Sequence, residues 1–125
     1  MSARILVVDD SGLARRRARS ILEAAGYEVL EAEDGMSALE HYFVSRPDVV
    51  VLDLVMKGMY GLEVLARLRE LDPAVRVIVM TADIQTSSRE MVKEAGASGF
   101  INKPAQPAHV VAVLQQVMTG STPWS

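Results

Sequence analysis

Ile5-Leu6-Val7-Val8-Asp9-Asp10 decides the fold of this chain, because four apolar residues, three of them β-branched, end abruptly in two carboxylates. So short and branched a run reads as a strand, and its lack of polar alternation marks a strand covered on both faces of a parallel sheet. The same shape recurs twice. Val49-Val50-Val51-Leu52 is followed by Asp53, and Val75 to Met80, interrupted only by Arg76, is followed by Thr81. Two weaker strands, the alternating Tyr27 to Ala32 and the short Ser98 to Asn102, read as sheet edges, and the second runs into Lys103-Pro104.

Segments of helical spacing separate the strands. Ala14, Ala18, Ile21, Leu22 and Ala25 make one stripe, with Gly26 as its stop. Met36, Leu39 and Phe43 make a second, and Leu62, Leu65, Ala66 and Leu68 a third that ends before Asp72-Pro73. Met91, Val92 and Ala95 precede Gly96, and Val110, Val113, Leu114 and Val117 follow Pro107, a residue suited to a helix start. Five strands alternating with five helices imply an α/β fold, a doubly wound five-stranded parallel sheet with right-handed crossovers. Edge-like second and fifth strands favour the order 2-1-3-4-5. One domain is expected over residues 1–119, with a short tail at 120–125.

Composition narrows the function classes. The chain has 125 residues, half of them hydrophobic, which is enough for one core without a disulfide or structural metal. It has no cysteine, which excludes thiolate metal sites, iron–sulfur clusters and a cysteine nucleophile. Thirteen basic against 16 acidic residues argue against a nucleic-acid surface. No apolar run approaches the roughly 18 residues of a membrane span. Met1-Ser2-Ala3-Arg4 runs straight into the first strand, so no signal peptide is expected and the reading is a cytoplasmic domain.

In an open parallel sheet, ligands bind outside the carboxyl ends of the strands. Asp9, Asp10, Asp53, Thr81 and Lys103 all fall there. Each has a bland reading: Asp10 or Ser11 as a helix cap, Asp53 as a loop carboxylate, Thr81 as a cap, Lys103 as a solvated lysine. Singly those readings prevail; together they fail, since independent caps have no reason to share four strand ends. Three carboxylates drawn together repel one another unless a cation joins them, and a hard divalent ion with oxygen ligands answers that need. His41 and His109 lack ligand spacing, and Arg15, Arg16, Arg17 and Arg19 read as a solvated basic face that could steer an anionic partner.

From Arg4 to about Met118 the chain resembles the receiver domain of two-component response regulators, a flavodoxin-like (βα)5 family. The resemblance is carried by Asp9-Asp10, by Asp53 after its valine run, by Thr81-Ala82, by Lys103-Pro104 after Phe100-Ile101-Asn102, and by Glu94 to Phe100. It implies that Asp53 is the phosphoacceptor, taking a phosphoryl group from a histidine kinase or phosphotransfer protein. It implies Mg2+, or Mn2+, held by Asp9, Asp10, Asp53 and the Val55 carbonyl, with Lys103 pairing the phosphoryl oxygens. Thr81 and Phe100 become the switch pair, Phe100 turning inward as Thr81 moves, and the Lys103–Pro104 peptide is expected to be cis. Val55 and Asp83 stand over the approach of hydrolytic water. The implied activity is self-catalysed phosphotransfer and autodephosphorylation, with no other enzyme function.

The segment after Asp53 departs from the family pattern: Lys57 stands for the usual proline and Tyr60 for an aspartate. A haloacid-dehalogenase-type phosphohydrolase would need a second aspartate where Val55 stands, and a flavin or nucleotide carrier would need a glycine-rich phosphate loop after the first strand. The remaining alternative is a receiver module of a larger transcription factor or hybrid kinase, against which the short polar tail favours a free-standing regulator. Beyond Lys103 the sequence holds no Lys, Arg, Asp or Glu. The fifth helix is therefore expected to leave Ala108, Val111, Ala112 and Met118 outward. That makes an apolar docking surface, for a downstream protein or a homodimer, on the face of the fourth helix, fifth strand and fifth helix, and argues against a charge-paired dimer.

Overall fold

A computed structural model of the chain describes residues 2–56, 58–82 and 86–120. Its strands are β1 (Arg4–Val8), β2 (Glu28–Ala32), β3 (Val49–Leu52), β4 (Val77–Thr81) and β5 (Gly99–Asn102). Its helices are α1 (Gly12–Ala24), α2 (Gly35–Ser45), α3 (Gly61–Leu71), α4 (Thr86–Glu94) and α5 (Pro107–Met118). The sheet is parallel throughout, in the order β2-β1-β3-β4-β5 expected from the sequence. β4 starts two residues later than its apolar run suggests, and β2 and β5 each start one residue later than expected. Val75 donates its N–H to the Asp72 carbonyl, closing the α3–β4 turn, yet its side chain stays buried.

The unbroken apolar runs are explained by a core on each side. Leu6, Val8, Val50, Leu52, Val77, Val79 and Phe100 pack under α2, α3 and α4. Their chain neighbours Ile5, Val7, Val49, Val51, Ile78, Met80 and Ile101 pack under α1 and α5. Successive strand residues point to opposite faces, so a strand covered twice must be apolar at every position. α5 buries Val110, Val113, Leu114 and Val117, the stripe expected for it. Outward it leaves Ala108 and Ala112 exposed and Val111 and Met118 half-buried.

α2 does not follow its expected stripe. Met36 and Phe43 are 61% and 64% exposed, and the buried face is Gly35, Ala38 and Tyr42. Gly35 and Ala38 are small because the helix lies close. A Cβ on Gly35 would stand 2.8 Å from the Met59 sulfur and from a Val64 methyl. Ala25 and Ala66 are likewise exposed rather than core.

Tyr42 joins α2 to the end of α3: its buried hydroxyl donates to Asp72 at 2.7 Å, and Arg46 stacks 5.6 Å from its ring centroid. Burial, and then the Asp72 hydrogen bond, push the Tyr42 hydroxyl up to about 12. A raised folded-state value means that its stabilisation is complete below the ordinary tyrosine range, near pH ~10, and fades as pH rises toward 12. Tyr42→Phe is expected to lose about 1–2 kcal/mol at neutral pH. Urea melts at neutral pH and at about pH 11 should show the difference from wild type shrinking at the higher pH.

Candidate functional site

The site begins at the ends of β1 and β3, which are hydrogen-bonded neighbours. Asp9 follows β1 and is only 5% exposed. Its N–H donates to the Ala32 carbonyl at 3.1 Å, and its carboxylate accepts from the Ser11 N–H at 2.9 Å. Asp53 follows β3; its N–H donates to the Val8 carbonyl at 3.1 Å, and Val55 N–H approaches its carboxylate at 3.4 Å.

Lys103, past the end of β5, reaches back to both acids. Its ammonium donates to Asp9 Oδ2 at 2.7 Å and to Asp53 Oδ2 at 3.3 Å. Burial alone would lower the Lys103 pKa; the hydrogen bond to Asp9 and the charges of Asp53 and Asp9 overcome it and hold the group above its usual value. The ammonium is therefore charged at neutral pH. The Lys103–Pro104 peptide is cis, as expected, and Lys103 N–H donates to the Thr81 carbonyl at 2.8 Å. Thr81 is 1% exposed.

The sequence brings Asp9, Asp53, Thr81 and Lys103 to one rim, with Asp10 beside them on the exposed side. A cavity of about 90 Å3 opens onto Asp9, Asp53 and Lys103, bounded by Arg17, Met80 and Ala105. Among the described residues, no three acidic or histidine side chains close into one cation-sized group. The repulsion expected between Asp9 and Asp53 is relieved by Lys103 standing between them. The cap of α1 is Ser11, whose hydroxyl accepts from Ala14 N–H at 3.2 Å, so Asp10 is not needed for that task. Val55 is 61% exposed beside the site. Phe100 is 8% exposed and packs in the core beneath α4, with the Arg89 guanidinium 5.7 Å from its ring centroid. Asp83 and Lys57 lie outside the described residues.

Two features escaped the sequence reading, a pair of arginine contacts and a close approach at a glycine. Arg15 and Arg19 are not a solvated face: both pair with Glu31 of β2, and Arg15 also donates to the Asp9 carbonyl at 2.6 Å. The alternation of β2, which puts Glu31 on the α1 side next to Ala32, was the available signal. Gly61 was the other. A Cβ there would stand 2.4 Å from the Asp53 carbonyl oxygen and 2.6 Å from Leu54 Cα, while its own N–H donates to the Leu54 carbonyl at 2.8 Å.

Residues 5–115, which include every strand-end group just described, match the family described as the response regulator receiver domain. The chain belongs to that family. Chemotaxis protein CheY of Thermotoga maritima is 38% identical over 118 residues, covering 94% of this chain and 98% of that protein. Response regulator MprA of Mycolicibacterium vanbaalenii is 37% identical over 98% of this chain but 53% of its own length, so the chain spans about half of that relative. Among solved structures, Vibrio cholerae CheY4 aligns with a TM-score of 0.89 at 32% identity, over 94% of this chain and 99% of that one. The CheX–CheY–BeF3–Mg2+ complex from Borrelia burgdorferi aligns with a TM-score of 0.88 at 30% identity, over 92% and 88%.

In this receiver domain Gly61 lets α3 begin against the backbone that carries Asp53. Gly61→Ala is expected to destabilise the fold by about 1–3 kcal/mol, the usual cost of overpacking, because the clashing atoms are backbone and cannot swing aside. Urea denaturation gives that value, and the amide resonances of Asp53 and Leu54 should shift more than those of α5.

Proposed function

We propose that this receiver accepts a phosphoryl group on Asp53 from the phosphohistidine of a histidine kinase or phosphotransfer protein, and that the product alters binding of a downstream protein. The observation that carries this reading is the ammonium of Lys103 on both Asp9 and Asp53. An acidic pair at two strand ends, with a mobile-length cation already in place, is chemistry for receiving an anion. The phosphorus–nitrogen bond of the donor breaks as a bond forms from an Asp53 carboxylate oxygen to phosphorus, and the imidazole leaves with the electron pair. Lys103 turns from the carboxylates to the phosphoryl oxygens, matching charge that would otherwise oppose the approach.

The donor atoms suit a hard divalent cation, since Asp9, Asp10, Asp53 and the Val55 carbonyl offer only oxygen, and Mg2+ needs only one or two carboxylates beside its waters. Mg2+ or Mn2+ held there would offset phosphoryl charge. The Borrelia neighbour, solved with BeF3 and Mg2+, supports the assignment. For the switch, the Thr81 hydroxyl donates to a phosphoryl oxygen. Phe100, one strand over on the same face of the sheet, is the group that responds as Thr81 moves. Partners dock on α4, β5 and α5, where α5 offers Ala108 and Ala112 and no charged side chain, so a charge-paired homodimer is disfavoured. The likeness to CheY supports a cytoplasmic setting; separately, no described helix is long and apolar enough to cross a membrane. The half-length match to MprA favours a second setting for the same chemistry, as the receiver module of a longer regulator.

Intact-mass measurement after incubation with acetyl phosphate and Mg2+ should show one added phosphoryl group in the wild type and none in Asp53→Ala or in the presence of a chelator. Equal labelling of Asp53→Ala would refute the assignment.

The lifetime of the phosphoryl group depends on water reaching the phosphorus in line. Val55, exposed and apolar beside Asp53, offers that water no hydrogen bond. Val55→Asn should orient it and speed self-dephosphorylation about tenfold, which is about 1.4 kcal/mol off the barrier. A time course of intact mass after removal of the donor reads the rate.

A further inference from the structure

We infer that Arg15, anchored by Glu31, is a positioning residue that fixes the Asp9–Asp10 peptide for cation binding. The inference rests on the proposed cation site and adds to it residues that carry no ligand atom. β1 ends at Val8 and β2 at Ala32, so the sheet supplies no partner to the Asp9 carbonyl. Arg15, in the first turn of α1, supplies one at 2.6 Å. Asp9 is then held at every polar group: its N–H by Ala32, its carbonyl by Arg15, and its carboxylate by Ser11 and Lys103. The carbonyl bond is the one that restrains the plane of the peptide leading into Asp10.

Glu31 explains why an arginine can serve so near a cation. A guanidinium by itself would repel a divalent ion. Here Arg15 Nε pairs with Glu31 Oε1 at 3.2 Å, which cancels its field at contact range while leaving Nη1 to the Asp9 carbonyl. Arg19 holds the second Glu31 oxygen and fixes the acid in turn. Stapling α1 to β2 needs only the ion pairs. The donation to Asp9 is surplus to that task, and a planar fork makes both bonds at once where an ammonium makes them poorly. Arg16 and Arg17, the neighbours in the same basic run, are exposed.

The test measures Mn2+ affinity of the unphosphorylated protein by electron paramagnetic resonance, with thermal melts alongside. Arg15→Ala should weaken Mn2+ binding about tenfold, in the range seen when groups supporting a metal's ligands are removed. Arg15→Lys, which keeps the charge and a donor, should fall between. Arg19→Ala is the structural control: it loosens Glu31 but leaves the Arg15 bond to the Asp9 carbonyl in place, so it should lower the melting temperature while costing much less Mn2+ affinity than Arg15→Ala. Wild-type affinity in both Arg15 variants, tighter binding on loss of the charge, or an equal loss in Arg19→Ala would each overturn the inference. A wild type that binds no Mn2+ would instead bring down the proposed cation site itself.

Discussion

Two carboxylates at the ends of adjacent parallel strands repel each other, and in this chain one ammonium group rests on both. The rest of the site depends on that contact. Asp9 is almost fully buried, and a buried acid without a partner would be strongly unfavourable. Lys103 comes from the far side of the sheet, beyond β4, so the pair also ties β5 to β1 across the two strands between them. Breaking it by removing the lysine would leave two largely buried acids facing each other without a cation. In the proposed phosphotransfer, an arriving anion would compete for the same ammonium, so the contact that supports the fold would also be the first thing that a phosphoryl group changed.

The sheet explains why such a site can be built at all. Strands apolar at every position are held from both faces and cannot slip by one residue without burying backbone-adjacent polar groups. Their ends are therefore fixed points. Asp9 and Asp53 need no packing of their own to be placed, because Val8 and Leu52 are paired in the ladder immediately before them. The loops that follow need only short-range devices: the Ser11 cap, the Arg15 bond to the Asp9 carbonyl, and the absence of a side chain at Gly61.

Strand positions and the strand-end residues were legible in the sequence because period and chain order alone determine them. Helix faces were less so. On α2 the bulky Met36 and Phe43 invited a core assignment, but the face that packs is made of Gly35, Ala38 and Tyr42, where closeness rather than bulk decides. The role of Arg15 was hidden for a different reason. Four arginines in one turn and a half look like a solvated run, and only the position of Glu31 on β2, a long-range fact, separates Arg15 and Arg19 from Arg16 and Arg17. Lys103 was expected at the strand-end rim and stands there, but its partners are carboxylates, which no local pattern announces.

Parallel register also bears on how far a signal must travel. Thr81 pairs with Asn102 and Val79 with Phe100, so Phe100 lies one strand over and two residues back from Thr81. Side chains two apart along a strand share a face, which puts Thr81 and Phe100 on the same side of the sheet, under α4. In the proposed switch, a displacement of the Thr81 side chain would need no relay through the core to reach the aromatic ring. Arg89 on α4 already covers that ring, so helix and ring are coupled by direct contact. The distance from the strand-end acids to the outer face of α4 and β5 is bridged by two adjacent strands and one side chain on a helix, and this shortness follows from the same strand order that placed the acids together.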